Sequence, residues 1–230
     1  MDRPIRPIVV LAACVLGASC NSGSTSPSGN LAQLHVVNAA TSGGAVTVYV
    51  DGGQLSLAIA PATSSAALTV TPGTRTLELR TAGGLGFTRS VVFAANANVV
   101  AIGLDSAGGV TPEVLSDTNA VVPAGASKLR VANMAQDAGP IDIWRTQPDY
   151  GTPIRVEFPF PYRAESPYLQ STSGDWRIFV SDTVPVATPD APMPDTLADS
   201  GPISVSDGTS ATVVVVDKPG GGVTFVVVRP

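Results

Sequence analysis

One sequence pattern occurs twice in this chain, 95 positions apart. It reads LHVVNAATSGGAVTVY from residue 34 and LRVANMAQDAGPIDIW from residue 129. Five positions are identical without a gap, namely Leu34/Leu129, Val36/Val131, Asn38/Asn133, Ala40/Ala135 and Gly44/Gly139. Alternating apolar residues on either side of an Asn and a Gly are typical of two strands joined by a turn. The chain is therefore predicted to contain two copies of one β unit.

The remaining chain body extends this pattern, because short Val-rich runs alternate with clusters of Gly, Pro, Ser and Asn. In the first unit, strands are predicted at 32–39, 45–52, 54–60, 66–73, 75–81, 89–95, 98–105 and 110–117. A matching series follows in the second unit, where Gly174 corresponds to Gly73 and Asp217 to Asp105. About eight short strands per ~100 residues predict a sandwich. The predicted fold class is all-β, with two tandem immunoglobulin-like or transthyretin-like antiparallel β-sandwich domains and two separate cores.

The N-terminus predicts export and a lipid anchor. Two arginines precede the apolar run IVVLAACVLGAS at 8–19, which is too short to span a bilayer as a helix but suits a secretory signal. The run resembles a bacterial lipoprotein signal at 1–19 that ends before Cys20. Cys14, in LAAC, is the alternative lipidated residue, and an ordinary signal peptide cut near residue 18 or 19 is a third. Residues 20–30 are then a lipidated cysteine and a flexible Ser/Gly-rich tether.

The predicted domains are residues 31–119 and 128–230, joined by a linker at 120–127. Neither domain contains a cysteine, which excludes disulfides, thiolate metal sites and a Cys nucleophile from the folded part. The net charge is -5, and Lys128 and Lys218 are the only lysines. An acidic chain of this kind lacks the basic surface that binds phosphate backbones, so nucleic acid is not expected as a partner.

The repeated segments carry a family resemblance. LHVVNAATSGGAVTVYVDG and LRVANMAQDAGPIDIW resemble the opening of the family called domain of unknown function 4397, in which a strand, an Asn or His and Ala-rich residues precede a Val-Asp-Val-Tyr-Val-Asp-Gly strand. FPYRAESPYLQSTSGDWRIFV resembles a later segment of that family. The resemblance covers nearly all of 31–230 as two copies. It implies a secreted or lipid-anchored β-sandwich, and it brings no established activity and no catalytic residues.

The sequence offers few groups for chemistry. His35, the single histidine, lies within a strand where the other copy has Arg130, so we expect it on the outward face of that strand rather than in a catalytic triad. The carboxylates of the acidic segment 181–202 could bind Ca²⁺, but the spacing of its aspartates is not that of a calcium-binding loop. A solvated loop is therefore favoured. No metal site, no catalytic residue and no cofactor is predicted.

Aromatic residues supply the candidate binding surface. Strand parity places Ile141 and Ile143 on the core face, so Trp144 points the other way, as does its counterpart Tyr49. Phe179 is predicted to point outward by the same argument. Exposed rings of Trp144, Phe179 and Tyr49 would suit a sugar or a partner protein. The alternative is that these rings pack under a loop or against the other unit.

Taken together, these features predict a non-enzymatic bacterial lipoprotein that crosses the inner membrane and is lipid-anchored at the outer membrane or cell surface. Asn21, rather than Asp, follows the predicted anchor, which favours export over retention at the inner membrane by resemblance to lipoproteins of two-membrane bacteria. Its predicted role is binding or scaffolding, with the membrane and an envelope protein or polysaccharide as partners. The alternative is a carbohydrate- or polymer-binding module that uses the aromatics of the second unit; an enzyme with a carboxylate pair is a more distant possibility.

Overall fold

The computed structural model describes residues 30–115, 121–146, 153–183 and 195–229, and within these ranges it contains strands and turns but no helix. We call residues 30–115 the first half and residues 121–229 the second half. The strands of the first half are β1 Ala32–Asn38, β2 Val46–Val50, β3 Gly53–Gln54, β4 Thr63–Ser64, β5 Leu68–Val70, β6 Gly73–Thr81, β7 Gly86–Phe93, β8 Asn98–Ser106 and β9 Gly109–Val114. Those of the second half are β10 Ala126–Asn133, β11 Ile141–Thr146, β12 Ile154–Phe160, β13 Leu169–Thr172, β14 Gly174–Asp182, β15 Thr196–Asp199, β16 Ile203–Val205, β17 Ser210–Asp217 and β18 Val223–Val228.

Each half forms two sheets with the same strand order. In the first half, sheet A runs β4-β1-β8-β9, with β5 also paired to β1, and sheet B runs β3-β2-β6-β7. In the second half, sheet C runs β13-β10-β17-β18, and sheet D runs β12-β11-β14-β15, with β16 also paired to β14. The all-β prediction is therefore confirmed.

The prediction of purely antiparallel sheets is wrong at one strand pair in each half. Strands β1 and β8 are parallel, with Gln33 opposite Asn98 and Asn38 opposite Gly103. Strands β10 and β17 are parallel in the same way. Parallel neighbours require a crossover connection, and the intervening chain provides it by building the second sheet of that half before returning.

One apolar core lies between the two sheets of each half. The core of the first half joins sheets A and B and includes Leu34, Val46 and Leu77. The core of the second half joins sheets C and D and includes Ile141, Ile143 and Ile178. The inward orientation that strand parity predicted for Ile141 and Ile143 is thus confirmed.

A third core lies between the two halves, where sheet A packs against sheet C. Val37 and Ile102 of the first half belong to it, together with Met134, Val214 and Val228 of the second half. All five are almost fully buried. The outward faces of β1 and β10 therefore do not face solvent, because each covers the other half.

The repeated Asn organises the same turn in both halves. Asn38 accepts a hydrogen bond from the amide of Ala40 at 3.1 Å and donates from Nδ2 to the carbonyls of Gly44 and Ile59, both at 2.9 Å. Asn133 makes the corresponding three bonds, to Ala135, Gly139 and Phe160, at 3.1, 3.0 and 3.0 Å. The glycines after each Asn have φ of 69° and 65°, a region that glycine adopts at little cost. The predicted roles of Asn and Gly in this turn are confirmed.

The prediction of a strand at 54–60 is wrong over most of that range. Only Gly53 and Gln54 pair with β2, and Ile59 makes an isolated bridge to Val46. Leu57, between them, is 85% exposed. The alternation of apolar residues in QLSLAIA predicts a strand. The segment does run beside β2, but after Gln54 it makes only separate hydrogen bonds to that strand, from Leu55 to Val48 and between Ile59 and Val46, instead of a continuous ladder.

Candidate functional site

The predicted aromatic surface is buried. Trp144 and Phe179 lie opposite each other on β11 and β14, on the outward face of sheet D. Their orientation agrees with strand parity, yet each side chain is only 1% exposed. The prediction that these two rings are accessible on the surface is therefore wrong, and they are packed side chains.

Polar groups complete the packing around Trp144. Its indole Nε1 donates a hydrogen bond of 3.0 Å to the Oγ of Ser181. Asp142 and Arg155 form an ion pair on the same face, and both side chains are at most 4% exposed. The guanidinium of Arg155 also lies 4.2 Å from the ring centre of Phe158. These contacts fix the outward face of sheet D as an internal layer of the protein.

Tyr49, the third predicted surface residue, remains half-buried. The guanidinium of Arg80 lies 4.1 Å from its ring centre, which is a cation–π geometry. Arg80 is paired in turn with Glu78 at 2.6 Å, and the Tyr49 hydroxyl donates to Gln54 at 3.4 Å. Tyr49 is the one residue of the three that is partly exposed, and Arg80 already covers one face of its ring.

His35 points to the side opposite the first core, as parity predicts, but it is only 9% exposed. Val37, two residues later on the same face, belongs to the third core. Burial lowers the pKa of His35 below its ordinary value. Arg130, the counterpart of His35, is also buried and donates to Thr212 at 3.1 Å. The predicted outward orientation of His35 is therefore confirmed, but this face does not meet solvent because the other half covers it.

The predicted anchor lies outside the described residues, as do Cys14, Cys20 and Asn21. The acidic segment 181–202 is described only at 181–183 and from residue 195 onward. In the described parts of the chain, no three Asp, Glu, His or Cys side chains lie together in a way that could hold a metal ion. No helix there is long and apolar enough to cross a membrane.

A concentration of carboxylates at one end of the third core was not predicted. In the first half, Asp105 closes the turn after β1. It accepts from the amides of Thr41, Ser42 and Gly43 at 2.7 to 3.1 Å, and from the Ser42 hydroxyl at 2.5 Å. Burial by itself would raise the pKa of Asp105, but these donors outweigh it and hold the pKa below its ordinary value.

The corresponding turn of the second half has lost its hydroxyl donors. Gln136 and Asp137 stand where the first half has Thr41 and Ser42. Asp217 accepts from the amide of Asp137 at 3.0 Å through Oδ2, and the backbone amides of Gln136 and Ala138 also favour its charged form. Burial raises the pKa of Asp217, and the charge of Asp137 adds to this effect. Only the Asp105/Asp217 correspondence in sequence pointed to this pair.

Two adjoining cavities open beside Asp137 and Asp217. One, of about 310 Å³, lies between the halves and is also lined by Asp105, Gln136 and Tyr162. The other, of about 270 Å³, is also lined by Asp182 and Leu197. Among the described residues, neither lining includes a Lys, Arg or His. The nearby cation Arg163 is paired with Glu113 of the first half.

The model of a family described as Domain of unknown function (DUF4397) matches residues 32–144. This match supports the resemblance that the repeated motif carries, over that part of the chain. Among curated proteins, none matches the sequence.

Two solved structures are similar to the chain at a low level. The Bacillus anthracis TIE protein is 6% identical with a TM-score of 0.26, and the match covers 85% of this chain and 34% of that protein. This chain thus spans about a third of that protein's length. A putative adhesin from Bacteroides ovatus is 11% identical with a TM-score of 0.20, and the match covers 87% of this chain and 95% of that one.

Proposed function

From the family match over residues 32–144, we propose that the chain carries two tandem copies of this domain of unknown function. The copies occupy 31–119 and 128–230, joined by a linker at 120–127, and each is an immunoglobulin-like or transthyretin-like β-sandwich. Support comes from the shared strand order of the two halves and from their parallel pairs β1/β8 and β10/β17. The three equivalent hydrogen bonds of Asn38 and Asn133 add to it.

The two domains are proposed to be attached to a bacterial envelope as part of a lipoprotein. In this proposal, residues 1–19 are a signal peptide that is removed, Cys20 is lipidated, and 20–30 tether the folded body. The protein is secreted across the inner membrane and held at the outer membrane or cell surface. Support comes from the apolar run at 8–19, the small residues before Cys20 and the uncharged segment that follows it.

Cell fractionation tests the anchor. Cys20→Ser is expected to move the protein from the membrane fraction to the soluble fraction, and the matched Cys14→Ser variant is expected to stay with the membrane. Release by Cys14→Ser but not by Cys20→Ser would show that Cys14 is the lipidated residue. Retention of the Cys14→Ser/Cys20→Ser double variant in the membrane fraction would refute lipid anchoring.

The proposed role is non-enzymatic binding or scaffolding at the envelope, with an envelope protein as the partner. The observation that carries it is the third core, which packs sheet A against sheet C and so holds the two halves in a fixed relation. A rigid pair of domains keeps its surfaces in one geometry, which lowers the entropic cost of binding. The polysaccharide alternative no longer rests on Trp144 and Phe179, because both rings are buried.

Binding to isolated envelopes tests this role. Fluorescent protein lacking residues 1–20 is titrated onto envelopes from cells that lack the gene for the chain. Saturable binding that protease treatment of the envelopes abolishes supports a protein partner, whereas binding that survives protease and appears on a glycan array supports the polysaccharide alternative. Absence of saturable binding contradicts a binding role.

A further inference from the structure

Strand β18 forms one edge of sheet C, and its outer side has no partner. Within the residues that the structure describes, β18 pairs only with β17, in a register without a bulge. Its sequence from Val223 to Val228 is VTFVVV, which contains no charge and no proline. Long edges of this kind are usually shielded in natural proteins, because their unpaired N–H and C=O groups readily pair with another strand.

The other edge strands carry such shielding. Strand β9 contains Pro112, β12 contains Pro159, and β7 contains the charged Arg89. Strands β3, β4, β5, β13, β15 and β16 are at most four residues long. In the described part of the chain, β18 is therefore the longest edge without a shielding feature.

The hairpin between β17 and β18 shows which backbone groups are free. The amide of Lys218 donates to the carbonyl of Gly222 at 2.8 Å, so these two residues form a hydrogen-bonded pair. Such pairs alternate along antiparallel strands, so the even-numbered residues of β18 bond to β17. The odd-numbered residues direct their N–H and C=O groups to the free side, and these are Val223, Phe225 and Val227.

This spacing of free groups suits a second copy of the same strand. Around a two-fold axis at Phe225, two antiparallel β18 strands place Phe225 opposite its own counterpart and Val223 opposite Val227. Each outward residue then exchanges both hydrogen bonds with the residue opposite, and no outward group of the stretch is left unpaired. The two Phe225 rings lie side by side on one face of the joined sheet, where aromatic pairs stabilise strand pairing.

The charges at the two ends of β18 complement each other in this arrangement. The same register places Arg229 of the second copy, an exposed residue, opposite Gly221 at the hairpin. Arg229 shares its face of the strand with Val223, which lines the cleft of about 270 Å³. Asp137 and Asp182 line this cleft as well, and both are exposed. An arginine of each copy thus meets carboxylates of the other.

We propose that the chain forms a two-fold symmetric dimer in which two β18 strands pair antiparallel at Phe225. Sheet C then continues from one copy into the other, and Arg229 of each copy lies at the Asp182 cleft of its partner. The contact is isologous, so the same edge serves both copies and no edge of this pair is left open. This inference goes beyond the binding role proposed above and does not depend on the lipid anchor.

Sedimentation equilibrium of the full chain in a density-matched detergent tests the dimer, which is expected for the parent chain. Val227→Pro removes an outward N–H but no bond to β17, so it is expected to weaken the dimer at least about tenfold. Val227→Thr keeps that N–H and the branched side chain, and is the control expected to dimerise like the parent chain. A monomeric parent chain, or a Val227→Pro dimer as tight as that of the parent chain, would overturn the proposal. Slow hydrogen exchange of the Phe225 amide in a monomer would instead place another segment of the chain on this edge.

A charge exchange tests the ends of the contact with two surface substitutions. Arg229→Glu is expected to weaken the dimer about tenfold, because both attractive pairs become repulsive. Adding Asp182→Arg to the same chain is expected to restore dimerisation. An Arg229→Glu dimer of unchanged affinity, or a double variant that stays weak, would contradict the arrangement.

Cysteine cross-linking tests the register. In a chain with Cys14→Ser and Cys20→Ser, an introduced cysteine is the only thiol. Phe225→Cys is expected to form an intermolecular disulfide on oxidation, because Cα atoms of a hydrogen-bonded pair lie about 5.5 Å apart. Val227→Cys lies on the same face but about 13 Å along the strands from its counterpart, and is the control expected to remain unlinked. A dimer in which Phe225→Cys does not cross-link, or in which both variants cross-link equally, would refute pairing at β18.

Discussion

The indole nitrogen of Trp144 on β11 donates a hydrogen bond of 3.0 Å to the hydroxyl of Ser181 on the adjacent strand β14. Both residues are at most 1% exposed, so the bond lies in an internal layer. Trp144→Ala is expected to lower the free energy of unfolding by about 3 to 5 kcal/mol, because it removes a large buried ring and leaves a cavity. Urea denaturation measures this loss.

Two further variants distinguish the contribution of the Trp144 ring to stability from that of its hydrogen bond. Trp144→Phe keeps most of the apolar contact and is expected to cost only about 1 to 3 kcal/mol, since the N–H is lost. Phe158→Ala, at a ring that is 44% exposed on the neighbouring strand β12, is expected to cost less than Trp144→Ala. A Trp144→Ala protein as stable as the parent chain would mean that the ring is not packed.

The two equivalent asparagines should be equally important for stability. Asn38 and Asn133 are fully buried, and each makes three hydrogen bonds that hold a turn. Replacing either by Ala leaves buried backbone groups without partners and is expected to cost about 2 to 4 kcal/mol. Asn98→Ala, at the half-buried start of β8, is the matched control with an expected cost under about 1 kcal/mol. A large difference between the Asn38 and Asn133 variants would contradict the equivalence of the two turns.

The third core predicts that both halves unfold together. Ile102 is fully buried in this core, where sheet A meets sheet C. The unaltered chain is expected to give a single calorimetric transition, whereas Ile102→Asp places a charge between the halves and should produce two transitions. Val92→Asp, at a side chain that is 72% exposed, is expected to leave a single transition. Two separate transitions in the unaltered chain would show that the halves are not energetically coupled.

The two equivalent carboxylates should respond to pH with opposite signs. Because the pKa of Asp105 lies below its ordinary value of 3.8, Asp105 contributes stability above that value and loses it as pH falls toward the folded-state pKa. The pKa of Asp217 is raised above 3.8, so its charged form costs stability once pH rises through the folded-state pKa. Relative to an Asn variant at each position, Asp105 should therefore stabilise more as pH rises and Asp217 should stabilise less.

Urea denaturation of Asp105→Asn, Asp217→Asn and the parent chain from acid to neutral pH measures these differences. Both carboxylates occupy corresponding turns, so each variant is the control for the other. Differences that change with pH in the same direction at both positions would contradict the contrast between the Ser42 hydroxyl, which donates to Asp105, and the Asp137 carboxylate, which has no proton to donate to Asp217.

The predicted site residues show that strand alternation assigns a side chain to a face of the sheet but does not determine its exposure. Side chains of successive strand residues point to opposite faces, so the order Ile141, Asp142, Ile143, Trp144 assigns each residue to a face. Those assignments are confirmed by the core of the second half. Alternation says nothing about whether the opposite face meets water. Trp144 was therefore expected at the surface and His35 on the outward face of its strand, and both are buried.

The proximity of Asp105 and Asp217 was also not predicted. The sequence aligned Asp105 with Asp217, but it did not show that their turns lie beside one cleft at the end of the third core. That arrangement depends on the packing of sheet A against sheet C, between residues far apart in the chain. Apolar residues on the outward faces of β1 and β10 were the available signal, since Val37 and Ala132 would be unusual on a solvated face.

The sequence alone determined the local features of this protein: short strands, the faces of their side chains, and the turn that Asn38 and Gly44 build and Asn133 and Gly139 repeat. These follow from neighbouring residues, because alternation, side-chain capping and a positive φ act within a few positions. Only the tertiary structure decided the parallel strand pairs, the burial of Trp144 and Phe179, and the acidic cleft. Those depend on which sheets pack together, and that choice is made by surfaces assembled from the whole chain.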